Sequence, residues 1–111
     1  MKPISVLLVD DNRMFLRVAL EFLATDGDIN VVGTAQDGRE ALAILNELKP
    51  QIILTDLAMP GMPGLDAIPA MRALAPETKI IALTSMSNDY FRQAALEAGA
   101  DDFLDKARMS N

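Results

Sequence analysis

A chain of 111 residues, half of them apolar, is sized for one domain with a real hydrophobic core and leaves no length for a second. It has no Cys and no His, which excludes disulfides, thiolate metal sites, the usual zinc ligand and the commonest general base, and fits a cytoplasmic setting. A formal charge of −6 without any basic cluster argues against direct nucleic acid binding by this chain, and no apolar run approaches the roughly 20 residues that span a bilayer, so no membrane contact is expected.

The start Met1-Lys2-Pro3-Ile4 leads straight into Ser5-Val6-Leu7-Leu8-Val9, a continuous apolar run of the kind found in strands buried on both faces, and it ends in Asp10-Asp11. Asn12 is a helix cap, and the helix it opens has Phe15, Val18, Ala19 and Phe22 on its apolar face, widened by Leu16, Leu20 and Leu23. Asp26-Gly27-Asp28 is a turn before a second strand, Asn30 to Thr34. Asp37-Gly38-Arg39-Glu40 has capping-box spacing, and Ala41, Ile44, Leu45 and Leu48 follow at helical period until Lys49-Pro50.

The run Ile52-Ile53-Leu54-Thr55-Asp56 is the central strand, again closed by an acid, and Pro60-Gly61-Met62-Pro63-Gly64 is a stiff loop after it. Leu65, Ile68, Met71 and Leu74 mark a third helix, which Pro69 should delay or kink because proline has no N–H to donate. Lys79 to Leu83 is a fourth strand ending at Thr84-Ser85. Ser87 or Asn88 caps a helix with Phe91, Ala94, Ala95 and Ala98 on one face and Gly99 just past its end, and Asp102-Phe103-Leu104 is a short strand before Lys106. Strands alternating with helices imply a parallel sheet joined by right-handed crossovers.

In such a sheet every strand points the same way, so Asp10, Asp11, Asp56, Thr84 and Lys106 gather at one edge, where open α/β sheets bind ligands. Crowded carboxylates stay ionised only if a cation offsets them, and hard oxygen ligands without His or Cys point to Mg²⁺. Lys106 and Thr84 are suited to hold a phosphoryl group, by charge and by a hydroxyl hydrogen bond, and an aspartate can itself be the nucleophile. Each residue alone also has a plain reading: Asp10-Asp11 and Thr84 as helix caps, Asp56 as a turn former, Lys106 as a solvated charge. Their common position at strand carboxyl ends favours one site.

Val9-Asp10-Asp11-Asn12, Leu54-Thr55-Asp56-Leu57-Ala58-Met59-Pro60-Gly61-Met62, Leu83-Thr84-Ser85 and Gly99-Ala100-Asp101-Asp102-Phe103-Leu104-Asp105-Lys106 together resemble the receiver domain of bacterial two-component response regulators. The likeness covers nearly all of 1–111. It implies a flavodoxin-like, doubly wound parallel sheet of five strands in the order 2-1-3-4-5. It also implies that Asp56 accepts a phosphoryl group from a sensor histidine kinase. Asp11, Asp56 and the Ala58 carbonyl would hold Mg²⁺, with Asp10 assisting through water, while Thr84 and Lys106 bind the phosphoryl oxygens. Phe103 matches the aromatic that repacks as Thr84 moves, and the partners implied are the kinase and an output domain or downstream regulator. The loop after Asp56 and the first strand look most like the branch with helix-turn-helix output domains.

The sequence departs from that family in several places. Ala107 stands where proline usually follows the lysine, so a trans bond is expected there. Pro63 replaces the usual Asp or Asn of the loop. Ala58 and Met86, which flank the water path in this family, cannot orient a water, so slow loss of the phosphoryl group is expected. The family's final helix is missing, which would leave one sheet face uncovered and favour a homodimer. The competing functions are a metal-dependent phosphohydrolase, disfavoured without an Asp-x-Asp pattern, and an adaptor that works without phosphorylation. A flavin carrier is poorly supported, with one Tyr and four Phe.

Overall fold

The computed structural model describes residues 2–57, 64–85 and 89–109. Strand β1 (Ile4–Val9) leads to helix α1 (Arg13–Ala24), β2 (Ile29–Ala35), α2 (Gly38–Leu48), β3 (Ile52–Asp56) and α3 (Gly64–Leu74). There follow β4 (Lys79–Thr84), α4 (Asp89–Ala98), β5 (Asp102–Asp105) and a 3₁₀ turn, Lys106–Met109. The sheet order is β2-β1-β3-β4-β5, every pairing is parallel, and the flavodoxin-like order expected from the sequence is the one observed.

Strand side chains alternate between two apolar layers. Leu7, Val9, Ile53, Ile80 and Ala82 pack with α2, α3 and α4 through Ala41, Leu45, Ile68, Met71 and Ala95. Val6, Leu8, Leu54 and Leu83 pack on the other side against Leu16, Ala19 and Leu23 of α1 and Met109 of the 3₁₀ turn. Because β1, β3 and β4 are covered on both faces, their apolar runs are continuous, and a carboxylate finds room only at their ends.

Local signals placed the elements well. Asn12 caps α1, its side chain accepting the Phe15 N–H at 3.1 Å. Asp37 accepts the Glu40 N–H at 2.8 Å, while Glu40 reaches back to the Gln36 N–H at 3.1 Å, one residue short of the Asp37 N–H that a reciprocal box would use. Lys49, in the left-handed region at φ 45°, closes α2 before Pro50. Gly99, at φ +119°, follows α4 in a conformation that a side chain would strain. The Lys106–Ala107 bond is trans, since the described residues contain no cis peptide.

Three expectations need correction. The buried line of α1 is Leu16, Ala19 and Leu23, with Phe15, Val18 and Phe22 half-buried and Leu20 exposed. Ala19, fully buried and small, packs in the same layer as Val6, Leu8 and Leu54 of the sheet, with Phe15 and Phe22 partly buried against that layer. Helix α3 starts at Gly64, ahead of Pro69, so its start is not delayed. Pro69 faces solvent, and burial of Ala67, Ile68 and Met71 outweighs the single backbone hydrogen bond it removes. Leu74, expected on the buried face, is 43% exposed. The expected caps Ser87 and Asn88, and Pro60 to Pro63 of the loop, lie outside the described residues.

The edge where the strands begin is closed by hydrogen bonds. The Thr78 hydroxyl donates to the Pro50 carbonyl, and the Lys79 N–H to Gln51. The Arg72 guanidinium donates to the carbonyls of Pro76, Thr78 and Gly99 and to the Asp101 carboxylate. Burial pushes the Asp101 carboxyl up, but the Ile80 N–H and the Arg72 charge outweigh it and hold the group below its ordinary value of 3.8. The opposite edge, where the strands end, carries the acids.

Candidate functional site

Asp10 directly follows β1 and is still laddered to β2 through its N–H, which donates to Ala35 at 3.0 Å. Its side chain is fully buried. One oxygen, Oδ1, accepts the Asn12 N–H at 2.9 Å, and this turn directs the chain into α1 and leaves Asp11 exposed at the rim. Asp56 ends β3, the strand between β1 and β4, and is 4% exposed. Carboxylate oxygens of Asp10, Asp11 and Asp56 all lie within 4.8 Å of one another.

Lys106 opens the 3₁₀ turn after β5. Its Nζ stands 2.6 Å from Asp10 Oδ2 and 3.4 Å from Asp56 Oδ2. The first contact is a pairing of charges: Oδ2 is buried and has no aligned hydrogen-bond donor among the described residues. Thr84 ends β4, where β4 pairs with β5 through Thr84 and Asp105, and it is buried. The structure therefore brings Asp10, Asp11, Asp56 and Lys106 together, with Thr84 on the neighbouring strand end. Phe103 pairs with Ala82 on β4 and packs, half-buried, in the layer beneath α4. Ala58 and Met86 lie outside the described residues.

Three carboxylates against one ammonium leave a formal surplus of two negative charges, which a divalent cation would neutralise. The donor set fits Mg²⁺: oxygen ligands only, from carboxylates close enough to share one small ion. Asp10, Asp11 and Asp56 together could hold it, and when bound it would supply positive charge beside Asp56.

Several contributors are not evident from sequence patterns. Phe15, read there as part of an apolar face, has its ring centroid 4.7 Å from Lys106 Nζ. Asp105 caps the 3₁₀ turn by accepting the Ala107 N–H at 2.9 Å. A signal for this was available, since a proline at Ala107 would have no N–H to give. Arg72 and Asp101, which lock the far edge, carry no local signature.

A buried acid at the end of the middle strand thus stands beside two more acids and a lysine, with a threonine at the neighbouring strand end. The family model for the response regulator receiver domain matches residues 6–110, and the chain belongs to that family, the receiver domains of two-component systems. It is 41% identical over 101 residues to the response regulator protein VraR of Staphylococcus aureus, covering 91% of this chain and 48% of that protein. The chain thus spans about half the length of the curated relatives it matches. The receiver domain of the putative response regulator NarL from Mycobacterium tuberculosis superposes with a TM-score of 0.89 at 31% identity, covering 96% of this chain and 86% of that one. A CheY from Borrelia burgdorferi, solved in complex with CheX, BeF₃⁻ and Mg²⁺, superposes at 0.87 with 25% identity, covering 96% of this chain and 84% of the other. The RcsB response regulator of Salmonella typhimurium, in a structure concerned with DNA interaction, gives 0.90 at 27% identity, covering 98% and 55%.

Proposed function

We propose that this chain is a phosphorylatable switch in which Asp56 accepts a phosphoryl group from a sensor histidine kinase in a Mg²⁺-dependent reaction. The observation that carries this reading is the ammonium of Lys106 set between Asp10 and Asp56 at 2.6 and 3.4 Å, at a strand edge with three clustered acids. An Asp56 oxygen attacks phosphorus as the bond from phosphorus to the donor nitrogen breaks, and the histidine keeps the electron pair. Lys106 then exchanges its carboxylate contacts for a phosphoryl oxygen, and the Thr84 hydroxyl donates to another. Asp11, Asp56 and the Ala58 carbonyl would hold Mg²⁺, with Asp10 assisting through water, and the ion would offset the charge of the incoming group. Added charge of about −1.5 to −2 draws Thr84 inward, and Phe103 repacks with it.

The partners in this reading are the kinase and an output domain or downstream regulator that controls transcription in the cytoplasm; the likeness to RcsB supports such an output. The chain is a phosphoacceptor acting only on itself, not an enzyme turning over an external substrate. Acetyl phosphate or a phosphoramidate with Mg²⁺ should add one phosphate by intact mass, and Asp56→Asn should abolish the gain. Equal modification of Asp56→Asn would refute the assignment.

A further inference from the structure

We propose that the Phe15 ring is a positioning residue for Lys106, holding the ammonium through its π face before and during phosphoryl uptake; this rests on the phosphoacceptor reading. Phe15 sits in the first turn of α1, its N–H tied to the Asn12 side chain at 3.1 Å, so its backbone is fixed next to the acids. Its ring packs half-buried at the border of the α1 layer, with its centroid 4.7 Å from Lys106 Nζ, inside the range of about 6 Å for a cation–π contact. The Lys106 side chain is only 16% exposed, so water contributes little to solvating the charge.

The ammonium therefore has two kinds of partner. Asp10 and Asp56 attract it from the carboxylate side, and the ring supports it from α1. When a phosphoryl group arrives, Lys106 must leave a carboxylate for a new oxygen. A π face is suited to that shift because its attraction is broad and has no single hydrogen-bond direction to break. The lysine stem is long and flexible, and Asp105 and buried Met109 anchor only its backbone turn. An aliphatic residue at position 15 would fill the space without solvating the charge.

The test compares Phe15→Leu, Phe15→Tyr and Phe15→Trp with the native chain. In the resting protein, NMR should find the Lys106 ε-protons shifted upfield by the ring current, with the shift lost in Phe15→Leu and kept in the aromatic variants. Phosphorylation by acetyl phosphate with Mg²⁺ should slow about 3- to 10-fold in Phe15→Leu and return towards the native rate with Tyr or Trp. On a Lys106→Gln background, Phe15→Leu should add no further loss. No ring-current shift in the native protein, or equal phosphorylation of Phe15→Leu and native, overturns the inference while leaving Asp56 as acceptor. A native protein that takes up no phosphate overturns both.

Discussion

Replacing Lys106 by Met keeps an unbranched side chain of similar length and removes the charge, so it isolates what the ammonium does in the resting protein. In the native chain that charge faces Asp10, whose side chain is 1% exposed, and Asp56, at 6%. Removing one partner of a buried pair costs about 3–5 kcal/mol, because the other charge is left uncompensated. Lys106 keeps some exposure and Asp11 lies at the rim, so the lower end, about 3 kcal/mol, is expected. Unfolding entropy of about 2.1 cal/mol/K per residue over 111 residues converts this to a fall in Tm of about 13 °C. The assay is calorimetric melting in chelator at neutral pH, repeated with saturating Mg²⁺. Mg²⁺ should restore much of the loss, since it offsets the same carboxylates. A variant melting within about 3 °C of native in chelator, unaffected by Mg²⁺, would refute the charge balance described for the site.

Arg72→Met should lower stability by about 2 kcal/mol at neutral pH by removing a charged donor shared among Pro76, Thr78, Gly99 and Asp101. Because the folded Asp101 carboxyl is held below 3.8, its contribution is present above that value and lost as pH falls through the lowered one. The gap between native and variant Tm should therefore narrow in acid without closing, since the carbonyl bonds do not titrate. We expect Ala58→Asn or Met86→Glu to speed loss of the phosphoryl group, measured as decay of the phosphorylated mass; unchanged or slower decay would count against a role for these positions. We also propose a homodimer that buries the face formed by α1 and β5, where Ile81 and Leu104 are only half-buried. Light scattering that finds only monomer at high concentration would remove it.

Much of this protein is legible in one dimension because the governing forces are local. Continuous apolar runs such as Leu7-Leu8-Val9 and Ile52-Ile53-Leu54 mark strands covered on both faces, and Asn12, Asp37 and Gly99 mark helix ends by the hydrogen bonds or dihedrals they favour. Parallel topology then carries Asp10, Asp11, Asp56, Thr84 and Lys106 to one edge without any knowledge of side-chain contacts. Periodicity was less informative about α1, where it named an apolar side but not the rotation that sets Leu16, Ala19 and Leu23 inward. That rotation depends on how closely a small residue lets the helix approach the sheet. Tertiary structure alone decided that Phe15 meets Lys106 and that Arg72 ties α3 to the segments before β4 and β5. The contacts of Phe15 and Arg72 join groups far apart in the chain, and long flexible side chains have many reachable partners. Which partner is taken depends on the packing of every element between them, and no local pattern records it.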